Sequence, residues 1–164
     1  MVSPTPPVSE DIAAQVIQGY FLSISNLEDE DYKFRVEFVA PQGSGAPTLS
    51  GATVAFVDTP SGNNAQSALR GPIGGDRYTL DSGPIKVPAR GTALLAVLPA
   101  ALAAADADPS TPPRGPFEAR GYVRIELPAL RPRDGDGPAR LFSEAQSDAP
   151  VSVLLTAQNR TTYL

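Results

Sequence analysis

The side chains here with the most obvious chemical reach are carboxylates. Asn26 to Asp31, NLEDED, sets Glu28, Asp29, Glu30 and Asp31 side by side. Clustered carboxylates suit a hard cation such as Ca²⁺, which takes about six to eight oxygen ligands in a shaped loop. This run has no glycine to fold the loop back on itself, so it reads as a solvated turn. Asp134-Gly135-Asp136-Gly137 begins like a calcium loop, but Pro138 stands where the next oxygen ligand belongs. Glu144 falls one position short of the closing carboxylate, and a turn is the better reading. Asp106 and Asp108 follow an alanine run and read as a helix end. No metal or other cofactor is expected.

Nucleophilic and acid–base chemistry is poorly provided for. The chain has no cysteine and no histidine, which removes disulfides, thiolates and the side chain best suited to moving protons near neutrality. A hydrolase would need paired carboxylates or a serine–lysine dyad built on Lys33 or Lys86, and neither lysine sits in a recognisable pattern. Gly43-Ser44-Gly45 lacks the following Gly-Lys of a phosphate loop. Tryptophan is absent, leaving Tyr20, Tyr32, Tyr78, Tyr122 and Tyr163 as stacking platforms. Tyr122 stands out because it shares the polar parity of its strand with Arg120 and Arg124, a row suited to a partner surface or to ordinary cross-strand pairing. Asn159-Arg160-Thr161 fits the glycosylation pattern, which is a frequent coincidence. No catalytic residue is expected.

Bulk properties narrow the classes further. A chain of 164 residues fits one domain and buries about 70% of its unfolded surface. A formal charge of −5 argues against a nucleic-acid partner, because no net positive field exists to displace phosphate counterions. Two lysines against eleven arginines, with many alanines and prolines, suggest a GC-rich genome. No run approaches the roughly 18 apolar residues of a membrane span, and Met1 to Glu10 lacks the pattern of a signal peptide. Cytoplasmic and exported locations both fit.

The elements that must position these groups are strands. Tyr32, Phe34, Val36 and Phe38 alternate with Lys33, Arg35, Glu37 and Val39, the period of a strand with one dry face. Tyr20, Leu22 and Ile24 alternate with Phe21, Ser23 and Ser25 just before, and the pair reads as a hairpin joined by the acidic turn. Pro41 to Ser50 is turn-rich. Gly51 to Thr59 gives a third strand, with Val54 and Phe56 on one face and Thr53, Ala55 and Val57 on the other. Asn63 to Gly75 reads as a surface segment.

Arg77 to Leu80 is short. Thr92 to Leu98 is apolar at both parities, so both faces are expected to be covered. Ala100 to Asp108 has strong helix formers behind Pro99 and predicts a short helix. Phe117 to Leu127, Ala139 to Ser143 and Val151 to Ala157 complete about eight strands, which argue for an antiparallel β-sandwich of immunoglobulin-like or jelly-roll type.

The acidic turn before an alternating strand (Leu27 to Val39), the entry through Val87-Pro88-Ala89-Arg90 and the late Ser147-Asp148-Ala149-Pro150-Val151-Ser152-Val153 resemble small bacterial β-sandwich domains, among them the sensory rhodopsin transducer family. The likeness covers about a third of the chain. It departs from that family at Pro99 to Pro116 and Leu130 to Pro138. It implies a ligand-sensing or adaptor role and carries over no catalytic residue.

Met1 to Ala14 is a proline-rich arm, expected to be extended and close to polyproline II, ahead of a single domain over residues 15–164. Scarce catalytic groups, the doubly apolar Thr92 to Leu98 and this arm together lead to a non-catalytic subunit that self-associates into a filament, shell or coat. Pro4, Pro6, Pro7 and Val8 of the arm, Leu95 and Val97, and Arg120, Tyr122 and Arg124 are the expected interface residues. The alternative is a sensor or adaptor module for a small ligand or a protein.

Overall fold

The computed structural model describes residues 16–40, 48–60, 62, 64–100, 121–130 and 143–163. The strands are β1 (Val16–Asn26), β2 (Tyr32–Val39), β3 (Thr53–Asp58), β4 (Ala65–Ser67), β5 (Leu69–Ile73), β6 (Arg77–Leu80), β7 (Ile85–Val87), β8 (Thr92–Pro99), β9 (Tyr122–Glu126) and β10 (Val153–Tyr163). One short helix, α1 (Leu49–Ala52), precedes β3. The first sheet runs β10-β1-β8-β3-β4. In the second, β2 pairs with β7 over Tyr32 to Phe34, with β6 over Glu37 to Val39 and with β9 over Arg35 to Val39, while β5 pairs with β6. All the pairings are antiparallel, and the fold is the all-β sandwich that the alternation predicts.

The two sheets share one dry layer. Leu22 and Ile24 of β1, Ala55 and Val57 of β3, and Ala93, Leu95 and Val97 of β8 meet Tyr32, Phe34, Val36 and Phe38 of β2, with Tyr78, Leu80, Ile85 and Val87 filling in beside them. Tyr20 reaches across to Phe38 edge-on, at 5.9 Å between ring centroids. Burying one such side chain stabilises the fold by about 1.5–3 kcal/mol, so this layer supplies most of the driving force.

The expected hairpin of the first two strands is not formed. β1 pairs with β8 and β10, and β2 lies in the opposite sheet, so the NLEDED segment is an arch crossing from one layer to the other. Both strands carry an apolar parity, and two such parities can be satisfied face to face as well as side by side. The arch is held by Asn26, whose side chain is fully buried. Its amide nitrogen donates to the carbonyls of Glu30 (2.7 Å), Pro88 (3.1 Å) and Val87 (3.3 Å), and its oxygen accepts from the Glu28 amide (3.0 Å).

Two other expectations change. Asn63 to Gly75 is mostly exposed over its described residues, as a surface segment should be, but it also contains the short strands β4 and β5, the second irregular at Gly71 and Pro72. A turn-rich reading of Pro41 to Ser50 missed the start of α1. The predicted helix over Ala100 to Asp108, the strand Ala139 to Ser143, the arm and most of Pro128 to Pro138 lie outside the described residues, or nearly so.

Candidate binding face

The outer face of the first sheet is built by the parities that the core does not use. In register, Gln158 of β10, Phe21 of β1, Ala96 of β8, Phe56 of β3 and Gln66 of β4 form one row across all five strands. Thr156, Ser23, Leu94 and Asp58 form the row on one side of it. Arg160, Gly19, Leu98 and Val54 form the row on the other. A single methyl group at Ala96 between two phenylalanine rings makes a trough of about 490 Å³, lined also by Asn64, Ala65 and Gln66.

Its surface is apolar and open. Phe56 is 37% exposed and Leu94 49%, and Leu154 on the same face is 56% exposed. Isolated apolar residues at a surface need no explanation, but a contiguous set rimmed by polar groups marks a contact or binding site. At one corner the Arg160 guanidinium lies over the Phe21 ring, 4.8 Å from its centroid, and hydrogen-bonds the Gln158 side-chain oxygen at 3.2 and 3.4 Å. Asp58 stands at the opposite side.

The edge beside this face is also open. The amide of Asn26 donates to the Gly91 carbonyl (2.9 Å) and that of Leu27 to the Ser152 carbonyl (3.1 Å), so even-numbered residues of β1 turn toward β8 and odd-numbered ones toward β10. By register, β10 answers with its even-numbered residues. Val153, Leu155, Ala157 and Asn159 therefore direct their backbone N–H and C=O groups away from β1. Among the described residues no strand pairs along that edge.

Interface residues expected from the sequence divide sharply. Leu95 and Val97 are corrected: both point into the core, and Leu94 and Ala96 carry the outward parity of the same strand. Apolar residues at both parities signalled two covered faces but not which parity met the opposite sheet. Tyr122 is well exposed. Arg124 is locked between Glu37 (Nη2 to Oε2 2.6 Å, Nε to Oε2 3.1 Å) and Glu126 (2.7 Å). The Glu37 hydrogen bond, followed by the charges of Glu126 and Glu37, raises the Arg124 pKa above its ordinary value. It is a cross-strand tie rather than a free cation. Pro4, Pro6, Pro7, Val8 and Arg120 lie outside the described residues.

Three of the four acids of the arch are already partnered. Asp29 pairs with Arg90 (2.8 Å), Asp31 with Lys86 (2.7 Å) and with the Ala89 amide (2.9 Å), and Glu28 accepts from the Ser152 amide (2.7 Å). Hydrogen bonds from Arg90 and Lys86 hold the Asp29 and Asp31 carboxyls below their ordinary pKa. Asp134 and Asp136 are outside the described residues, and among those described no three acids are placed to hold a metal ion.

A second hollow, of about 540 Å³, lies by Thr53, Gln66, Ser67 and Asp81. There the Ser67 hydroxyl donates to Asp81 (2.6 Å), whose carboxylate also accepts from the Ala68 amide (2.9 Å), and these bonds lower the Asp81 pKa. A carboxylate with its pKa lowered is a weak base, so this pairing ties the turn together and does little to activate the serine.

Sequence reasoning missed the trough. Phe21 fell on the mixed, outward parity of β1, but the sequence left the outward parity of β3 unassigned and took that of β8 to be Leu95 and Val97, so Phe56 and Leu94 went unread; nor could any single strand disclose their alignment around Ala96. Comparison with protein families, with curated proteins and with solved structures gives no match. The likeness to sensory rhodopsin transducer domains therefore rests on its short motifs alone.

Proposed function

We propose that this chain is a non-catalytic β-sandwich subunit that self-associates into a filament, shell or coat through the outer face and open edge of the five-stranded sheet. The observation carrying this is the exposure of Phe56, Leu94 and Leu154 on that one face, beside the β10 edge, along which no strand pairs among the described residues. Long apolar edges are ordinarily shortened, charged or covered, and a second copy supplies such a cover. The partnered state of Glu28, Asp29, Asp31 and Arg124 supports a surface that works by shape.

Size-exclusion chromatography with light scattering, on the full chain and on a chain beginning at Gln15, tests this. An oligomer that Leu94→Asp dissociates is the expected result, and a monomer for both chains overturns it. A second reading is favoured by the same trough: aromatic walls with Arg160, Gln158 and Asp58 at the rim suit a small amphipathic ligand, as a sensor or adaptor would need. A ligand-dependent rise in the unfolding temperature of a strictly monomeric protein would select that reading.

A further inference from the structure

We propose that the trough between Phe21 and Phe56 receives the proline-rich arm of a second copy of the chain, with Pro4 to Val8 lying over Ala96 and Glu10 beside Arg160. This rests on the self-association reading and names the parts that meet.

The chemistry of the two surfaces is matched. Phe21 and Phe56 both stand beside Ala96 in register, two strand spacings or about 9.6 Å apart. A pyrrolidine ring flanked by van der Waals contacts of about 3.5–4 Å on each side fits a gap of that width. Aromatic-walled grooves take polyproline II segments because those segments are already extended and lose little entropy on docking. A polyproline II backbone makes no hydrogen bonds of its own, and Asn64, Gln66 and Gln158 line the rim, where their side-chain NH₂ groups can donate to its carbonyls.

Charge sets the direction. The arm is uncharged from Val2 to Ser9 and then carries Glu10 and Asp11. Arg160 and Asp58 occupy opposite corners of the trough, about 19 Å apart by strand spacing and rise. Six residues of polyproline II span about 19 Å, which is the separation of Pro4 from Glu10. The acidic end of the arm then meets Arg160 and the neutral proline end lies toward Asp58.

Reach favours a neighbour. Pro4 to Val8 precede Val16 by enough chain to stand about 25–37 Å from it when extended, whereas Phe21 of the same copy lies only about 17 Å into β1 in the other direction. An arm that continues the line of β1 runs away from its own trough and toward that of the next copy.

The absence of cysteine makes cross-linking of the full chain unambiguous. A Thr5→Cys protein is mixed with a Ser23→Cys protein under oxidation, with Lys33→Cys, on the other sheet, as the control partner. A disulfide-linked heterodimer is expected at least tenfold above the control, and lost when Pro4, Pro6 and Pro7 are all replaced by alanine or when Ala96→Leu fills the floor. If light scattering shows an oligomer and the Ser23 link does not exceed the Lys33 control, the assignment of the arm to this trough is overturned while self-association stands. A monomer without the link overturns both. A link formed within single chains carrying both cysteines, in a monomer, shows the arm on its own sheet and overturns the proposal.

Discussion

The side chain of Gln146 completes a ladder that Lys33 could not otherwise close. Extending the β2–β9 register by two residues brings Pro128 opposite Lys33, and proline has no N–H to give. The Gln146 amide nitrogen donates to both the Lys33 and the Pro128 carbonyls, each at 2.8 Å, and its oxygen accepts the Lys33 N–H at 2.8 Å. One carboxamide thus stands in for a missing strand residue and anchors the segment leading to β10. Gln146→Ala is expected to lower stability by about 1–2 kcal/mol, read as a lower urea midpoint with an unchanged slope. Gln146→Glu, which keeps the acceptor and loses the donor, should cost nearly as much.

Asn26 is more deeply committed. Asn26→Asp replaces a donor with a carboxylate amid three carbonyl oxygens, in a site closed to water. The loss should be at least about 3 kcal/mol and larger than for Asn26→Ala, because a buried charge is worse than a missing bond. Equilibrium unfolding of the two variants gives the order directly, and a milder effect for the aspartate would contradict the role assigned to the amide.

Leu94 and Leu95 are neighbours in β8 with opposite duties. Leu95→Ala should cost about 2–5 kcal/mol by opening a cavity between the sheets. Leu94→Ala should change stability by less than about 0.5 kcal/mol and instead weaken association. Denaturant midpoints and light scattering on both variants separate the two effects.

Much of this was legible and some was not, for reasons of geometry. Alternation in Tyr32 to Phe38 identified the dry parity of β2, because burial on one face imposes that period directly. It could not say that β1 lies in the other sheet, since face-to-face and side-by-side packing give the same pattern. Glu37 and Val39, on the outward parity, are also buried; Glu37 owes this partly to Arg124, far away in sequence. Asn26 and Gln146 read as ordinary polar residues beside turns, because their importance lies in which distant carbonyls they meet.

Acid should weaken the fold in a defined window. Asp29, Asp31 and Asp81 have pKa values lowered by Arg90, by Lys86 and by the Ser67 hydroxyl respectively. A carboxyl whose folded pKa lies below its unfolded value of about 3.9 adds stability above that value and loses it as pH falls toward the folded pKa. The urea midpoint should therefore be flat from about pH 7 to 5 and fall below about pH 4, with Asp81→Asn making the fall shallower. A midpoint unchanged down to about pH 3 would contradict these pairings.

Gly121, the residue before β9, packs directly against the backbone at the end of β2. A Cβ at that position would run into the Val39 carbonyl oxygen, and backbone cannot give way as a flexible side chain can. Gly121→Ala should pry the start of β9 from β2, seen as faster hydrogen exchange at Val39 and Tyr122 with the first sheet unaffected.

The zipping of β1 against β10, Val16 opposite Tyr163, joins strands that lie far apart in the described sequence. No local turn can bring this pair together, so the contact forms only by long-range search, and a topology of this kind folds on the order of milliseconds to seconds.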